Sequence, residues 1–344
     1  MGRRVVHGML TAGFVSTVIG TMLPGPGALW LSEQFAFRAP VRIGDTITAQ
    51  VRIRRISPAT RILLLDVVVT NQRGTVVLDG EATVQVLDTV MEMADPIEVR
   101  NVVVTGAGRG IGAAIASRLA ADGLHVVVNY RSDATRATET VDAIVSAGGH
   151  ASAFQADVSD PEQAAALVAH AVDTYGTVDA LINNAGGPTD PRGIIDTTWA
   201  HMEAHLATHL RGTFNCVEAA LPGMLERGGG RIVNMTSQAA YGAPPPKMSG
   251  YVVAKAALAA FTRCLALEAG PKGVTANAVA PGMVETEMVA DIPQRTKMTL
   301  ASQTPLRRLA RAADVADVVS FLVGRGGGYV TGQTIHLSGG QDMT

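Results

Sequence analysis

The sequence predicts an α/β fold, a doubly wound domain on a parallel sheet, preceded by a smaller α+β domain. Three observations carry this reading. Short apolar runs alternate with alanine-rich helical stretches from Arg100 onward, a glycine-rich turn at 106–112 follows the first of those runs, and residues before about 90 show a strand-dominated pattern instead. Alternating strand and helix signals imply βαβ units, whose parallel strands are covered by helices on both faces.

The chain has 344 residues, 47% hydrophobic and 17% charged, which suits about two domains with full cores. A net charge of −2 leaves no electrostatic footprint for nucleic acid or an anionic membrane, so small soluble partners are expected. Cys216 and Cys264 lack metal-ligand spacing and are too few for a disulfide framework. No metal is expected, and the reducing cytoplasm is the expected location.

The first domain, residues 1–90, begins with Met1-Gly-Arg-Arg4 and an apolar stretch at 5–23 that has the outline of an export signal. His7 and several glycines and threonines interrupt it, and no small-residue cleavage site is clear. A helix buried on all sides is expected there, not a membrane span. After Pro24-Gly-Pro-Gly27 come strands at 46–53, 62–70 and 80–86, separated by turn residues and mostly antiparallel. An acidic stretch around Pro96 reads as a linker over 91–98.

The second domain, residues 99–344, should place its strands at 101–105, 125–129, 152–155, 179–182, 231–235, 273–279 and 333–337. Ligands of such sheets bind beyond the carboxyl ends of the strands. Helical stretches at 197–226 and 251–269 are the long ones.

The first strand runs Val102-Val-Val-Thr-Gly-Ala-Gly-Arg-Gly-Ile-Gly112, and Ser237, Tyr251 and Lys255 follow about 130 residues later. A glycine turn alone is weak, but a dinucleotide turn followed by Tyr-x-x-x-Lys with a serine upstream is specific. The pattern resembles the short-chain dehydrogenase/reductase family and implies a Rossmann-type fold. Gly106 permits the tight turn, Gly110 lets the backbone approach a pyrophosphate, and Gly112 allows close helix packing; Gly108, Arg109 and Ile111 belong to the same loop.

The second strand ends Asn129-Tyr-Arg-Ser132, with Tyr130 where an NAD-preferring site would carry a carboxylate. Arg131, beside Ser132, and Arg109 could bracket a 2′-phosphate, so NADPH is the expected cofactor. The resemblance further implies an adenine contact at Asp157 and Val158, a wall behind the nicotinamide at Asn183, Ala185 and Gly186, and a carboxamide segment at Pro281, Gly282 and Thr286.

Tyr251 and Lys255, four apart, face one side of a helix. A nearby ammonium and a positively charged nicotinamide ring should lower the phenol pKa; Tyr251 then gives a proton to a ketone oxygen that Ser237 also binds, and Lys255 grips the ribose. Two departures from the family pattern stand out. Ser237 and Tyr251 lie 14 apart, about one residue more than usual, with the extra residue expected in the loop 242–250 and the geometry preserved. His209 replaces an asparagine that in the family distorts a helix and helps a water relay protons to the lysine; it reads either as a relay participant or as a structural helix residue.

Arg231 to Ser237, Ala276 to Gly282 and Val330 to Gly340 resemble beta-ketoacyl carrier-protein reductases. Residues 5–87, through Val6-His-Gly-Met-Leu10, Leu23-Pro-Gly-Pro-Gly27 and Phe37 to Asp45, resemble MaoC-type hot-dog hydratases of (3R)-hydroxyacyl thioesters. The catalytic Asp and His of those hydratases lie upstream of the His-Gly-Met helix and have no counterpart here, whereas Ser16 matches a pocket serine. The hot-dog part is thus a scaffold, a half-site completed by a separate hot-dog dehydratase subunit, or the remainder of a longer chain. Reduction of a 3-oxoacyl thioester, on an acyl carrier protein or coenzyme A, is the implied activity; an oxidative alcohol or steroid dehydrogenase and a non-catalytic nucleotide-binding assembly module are the alternatives.

A homo-oligomer is expected, a tetramer through 197–226 and 251–269, with pairing through 1–90 on burial grounds. Residues 286–310 read as a substrate lid. Met283, Met288 and Met298 suit either an acyl chain or gaps in the core, and Lys272 and Arg227 suit either a carrier phosphate or a solvated surface.

Overall fold

The computed structural model describes residues 5–25, 27–87, 97–187, 189–287 and 293–341. The chain divides into two compact units, Met1–Ala94 and Asp95–Thr344. The expected linker falls almost wholly outside the described residues.

In the first unit one helix among the described residues, α1 (Gly8–Thr21), lies on an antiparallel sheet of β1 (Ala28–Phe37), β2 (Ile47–Ser57), β3 (Ile62–Asn71) and β4 (Val76–Val86), in the order β1-β4-β3-β2. His7 caps the helix, its Nδ1 accepting from the Met9 amide at 3.3 Å. Ala12, Val15 and Ile19 pack into a core with Leu65, Val67, Val69 and Val84.

Two expectations change here. The helix is not buried on all sides, because one sheet face covers one side only: Met9, Leu10 and Phe14 are 58%, 59% and 51% exposed, and Ser16 shares that open face. Strand β4 starts four residues before Gly80, which is no boundary at all. A Cβ at Gly80 would collide with the backbone of Gln34 on β1, so the glycine permits close strand approach. Strand β1 itself, with Ser32, Glu33 and Gln34 in its middle, gave no clear apolar alternation.

The second unit is built on β5 (Asn101–Val104), β6 (His125–Tyr130), β7 (His150–Gln155), β8 (Ala180–Asn183), β9 (Gly230–Met235), β10 (Val274–Pro281) and, after two short segments, β13 (Thr334–Leu337). All pair in parallel, in the order β13-β10-β9-β8-β5-β6-β7. Chain order reverses between β5 and β8, which opens a crevice at their carboxyl ends. The short segments β11 (Val284–Glu285) and β12 (Ala310–Arg311) pair with each other.

Helices α2 (Gly110–Ala121), α3 (Ala134–Ser146) and α9 (Ala312–Val323) flank the sheet, as do α4 (Pro161–Tyr175), α6 (Gly212–Glu226) and α7 (Ser249–Ala269). Two core clusters follow, one joining α2, α3 and α9 to the sheet and the other α4, α6 and α7. The stretch 197–226 is not one regular helix. It comprises α5 (Trp199–Leu206), a π-helical segment Ala207–Arg211, and α6. Within the expected lid lies α8 (Gln294–Gln303), and the segment is anchored where Arg308 donates to both oxygens of Asp314 at 2.5 and 2.9 Å.

Candidate active site

The turn after β5 is held by asparagines and a threonine. Asn129 Oδ1 accepts from the Gly106 amide at 3.1 Å, while its Nδ2 donates to the Ala156 carbonyl at 3.1 Å. Thr105 Oγ1 accepts from the amides of Asn184 and Ala185, both at 2.9 Å. Gly106 and Gly110 adopt φ of +61° and +59°, a region that penalises side chains. A Cβ on Gly106 would lie 2.8 Å from the Ala185 Cα.

A Cβ on Gly112 would strike the Gly106 carbonyl oxygen and come within 2.5 Å of Asn184 Nδ2. Gly112→Ala is therefore expected to open the turn, lowering stability by about 1–3 kcal/mol through overpacking and abolishing nucleotide binding. Thermal unfolding and a dinucleotide titration check both effects.

The turn and α2, whose first residues no side chain caps, form one wall of a cavity of about 320 Å³. Backbone amides at such a helix start suit phosphate. Of the expected cofactor residues, Gly106, Gly108, Arg109, Gly110, Ile111, Gly112, Tyr130, Arg131, Ser132, Asp157, Val158, Ala185, Gly186, Tyr251, Lys255, Pro281 and Thr286 line this cavity. Close backbone approach, a bare helix start and clustered arginines fit a phosphorylated dinucleotide.

Two expected residues lie elsewhere. Asn183 is buried in β8, its Nδ2 donating to Asn234 Oδ1 at 2.8 Å, because alternation along the strand turns it into the sheet and leaves Asn184 at the turn. Gly282 lines a neighbouring cavity of about 250 Å³ together with Met283. The sequence reading missed Asn129, Asn184 and Arg136. Asn129 was visible as the lone polar residue closing Val126-Val-Val, and Arg136 as a third arginine close to Arg131; Arg136 pairs with Glu287 at 3.1 Å, and Arg131 stands 4.0 Å from Asp157.

Tyr251 and Lys255 project from the first turns of α7 into the same cavity. Lys255 is 5% exposed; its Nζ donates to the Met235 carbonyl at 2.6 Å and sits 5.8 Å from the centre of the Tyr251 ring. Burial pushes its pKa down to about 7. The Tyr251 pKa is raised by burial, against a hydrogen bond from Ser237 that lowers it. In the chain alone burial thus works against the expected lowering, because a phenolate is costly in this dry setting. Ser237 is thus near enough to act on the phenol despite the longer spacing, although its Oγ accepts from the Ala239 amide at 3.2 Å.

His209 is 3% exposed, at the centre of the π-helical segment, with its ring 5.3 Å from that of Tyr251. Burial first, then the charges of Lys255 and His205, push its pKa down to about 2. Neither ring nitrogen has a hydrogen-bond partner among the described residues.

Arg227 and Lys272 sit just before β9 and β10, at the amino ends of the strands and opposite the cavity. Arg227 donates to the Val178 carbonyl at 2.8 Å and so braces the sheet. Met298 is 65% exposed on α8, and Met288 lies outside the described residues. Among the described residues one helix, Ser249–Lys272, is long and apolar enough to cross a membrane, yet it carries Tyr251 and Lys255 and buries Ala254, Leu258, Thr262 and Leu265.

Residues 106–342 match the family described as enoyl-(acyl carrier protein) reductase, and residues 5–80 match the FAS1-like dehydratase domain region. The chain is 36% identical over 246 residues to the 3-oxoacyl-[acyl-carrier-protein] reductase FabG of Staphylococcus aureus, covering 71% of this chain and 98% of that protein. It is 41% identical over 246 residues to the short-chain reductase protein NovJ of Streptomyces niveus, covering 69% and 92%. Among solved structures, a dehydrogenase/reductase from Sinorhizobium meliloti 1021 superposes with a TM-score of 0.67 at 34% identity, covering 72% of this chain and 96% of that one. The small antiparallel sheet with its one helix fits a partial hot-dog domain. With the reversed strand order, the glycine turn, and Tyr251 and Lys255 lining the cavity beside it, these likenesses make the chain a member of the short-chain dehydrogenase/reductase family.

Proposed function

We propose that the protein reduces a 3-oxoacyl thioester to the (3R)-hydroxyacyl thioester with NADPH, in fatty acid or polyketide type biosynthesis. The single observation that carries this is that Tyr251 and Lys255 line one cavity together with Arg109, Arg131 and Arg136, with burial raising the Tyr251 pKa so that it keeps its proton. A nicotinamide bound there supplies the hydride. Ser237 orients the substrate carbonyl, Tyr251 delivers the proton to its oxygen, and Lys255 holds the ribose side and favours the phenolate that remains.

The arginines argue for the 2′-phosphate, since charge-assisted bonds to phosphate are worth about 1.5–3 kcal/mol each. Arg131→Ala is expected to lower the NADPH over NADH preference by about 10- to 100-fold in kcat/KM, read from initial rates with each cofactor. An unchanged ratio would remove Arg131 from this role.

The first unit serves as a scaffold or as half of a dehydratase site that a separate hot-dog protein completes. Exposed Met9, Leu10 and Phe14 suit such a pairing, and exposed Phe214, Val253 and Leu267 on α6 and α7 suit a homotetramer. Following NADPH oxidation with acetoacetyl thioester, with the product identified by mass, tests the whole reading. A 3-hydroxyacyl product supports it, a product lighter by one water adds dehydration, and no turnover despite NADPH binding rejects it.

A further inference from the structure

Three histidines stand four residues apart on the helix that leads to the catalytic cluster: His201, His205 and His209. Ring centres lie 5.1 Å apart from His201 to His205, 6.0 Å from His205 to His209, and 5.3 Å from His209 to Tyr251. The rings of His205 and His209 are almost parallel, 7° between planes. The π-helical hydrogen bonding around His209 produces this register, because a wider turn brings residue i+4 nearly above residue i. Room for the file is built in: a Cβ on Gly250 would lie 2.7 Å from His205 Cδ2, and one on Gly186 3.2 Å from His209 Cε1.

The file runs from the outside inward. At its outer end His201 Nε2 lies 3.0 Å from the Asp190 carbonyl oxygen and 3.7 Å from its carboxylate, whose side chain is 55% exposed. At its inner end stand Tyr251 and the buried Lys255. His205 and His209 are 8% and 3% exposed, and His201 Nδ1, like both nitrogens of His209, has no partner among the described residues. Buried polar nitrogens need partners, and a 6.0 Å ring spacing fits a bridging water.

We propose that His201, His205 and His209 form a proton path from the Asp190 edge of the protein to the Lys255–Tyr251 pair. The proposal rests on the reductase reading. Each reduction moves one proton from the Tyr251 hydroxyl to the carbonyl oxygen while the carbonyl carbon gains hydride, so one proton must return to the phenolate. A neutral imidazole accepts on one nitrogen and releases from the other. One proton taken from solvent at His201 is thereby matched by one released from His209 toward Lys255 and Tyr251, and ring rotation restores the tautomers.

The groups facing the file are Tyr251 and Lys255 from α7, and Asp190 from the preceding loop, whose carboxylate is also bound by Arg192 at 2.5 and 2.9 Å. Burial and the neighbouring His201 charge hold His205 below its ordinary pKa, against the pull of Asp190, and His209 lies at about 2. Both shifts favour the neutral imidazole at His205 and His209.

His205→Phe keeps a ring of similar shape and removes both nitrogens. With a 3-oxoacyl thioester, kcat is expected to fall about 10- to 100-fold with KM within about twofold, the solvent deuterium isotope effect on kcat to rise, and added imidazole to restore part of the rate. A readout independent of turnover is the solvent exchange of the His209 ring N–H by nitrogen-15 NMR, expected to slow about 10-fold or more in both His205→Phe and the outer variant His201→Phe. Unchanged kcat, isotope effect and exchange in folded variants overturn the path. Should His205→Phe fail to fold, His201→Phe decides by the same readings. If exchange depends on the file but the parent protein reduces no 3-oxoacyl thioester, the path stands and the reductase reading falls.

Discussion

Replacing Tyr251 by phenylalanine is expected to lower kcat for thioester reduction by about 10³-fold, within the range that a positioned general acid contributes, while NADPH binding stays intact. The ring remains to pack against His205 and His209, at 6.3 and 5.3 Å, so a loss of rate reports the hydroxyl and not the fold. Because burial raises the phenol pKa, Tyr251 carries its proton at every pH near neutrality and is poised to donate. Lys255 titrates instead: its pKa is lowered to about 7, so its charge is present below that value and lost above it. Reduction leaves a phenolate that needs this charge, and the rate should decline as pH rises past about 7, by up to about tenfold per unit. A pH–rate profile of the parent protein, set beside Tyr251→Phe in NADPH-binding and single-turnover assays, checks both parts. A variant retaining most of its activity would remove Tyr251 as the acid.

The second unit was legible because its strands are buried on both faces and read as unbroken apolar runs, so 125–129 and 231–235 fell within one residue of β6 and β9. The glycine turn was legible because Gly106 and Gly112 meet backbone that no side chain could share. What the sequence hid depends on contacts between distant segments. Arg136 reaches the cavity only because α3 packs beside the turn, and Arg227 faces away from it because parallel strands put all their amino ends on one edge. The same limit applied to Tyr251, whose spacing to Lys255 suggested charge stabilisation, whereas the dryness that raises its pKa comes from packing. His201, His205 and His209 were readable as an i, i+4, i+8 series, but the π-helical register that stacks two of them was not.

That buried series sets how the fold responds to acid. His209 has its pKa lowered from 6.5 to about 2, so it stays neutral in the folded chain while its unfolded counterpart takes up a proton below 6.5. Stability from this group is fully present above about 6.5 and is lost as pH falls toward the folded value. Between pH 7 and 4 the loss covers about 2.5 units, or about 3 kcal/mol, and it is insensitive to the folded value because pH 4 lies well above it. His205 adds to the loss in the same direction. His209→Asn removes the larger part, so the difference in unfolding free energy between variant and parent should shift by about 3 kcal/mol in favour of the variant on going from pH 7 to pH 4. Urea unfolding in a Trp30→Phe background, where Trp199 beside the histidine file is the remaining tryptophan, reports the unit that carries His209. Comparing slopes against pH cancels any constant cost of the substitution itself. Equal acid sensitivity in the two proteins would mean that His209 is protonated, or solvated, in the folded chain.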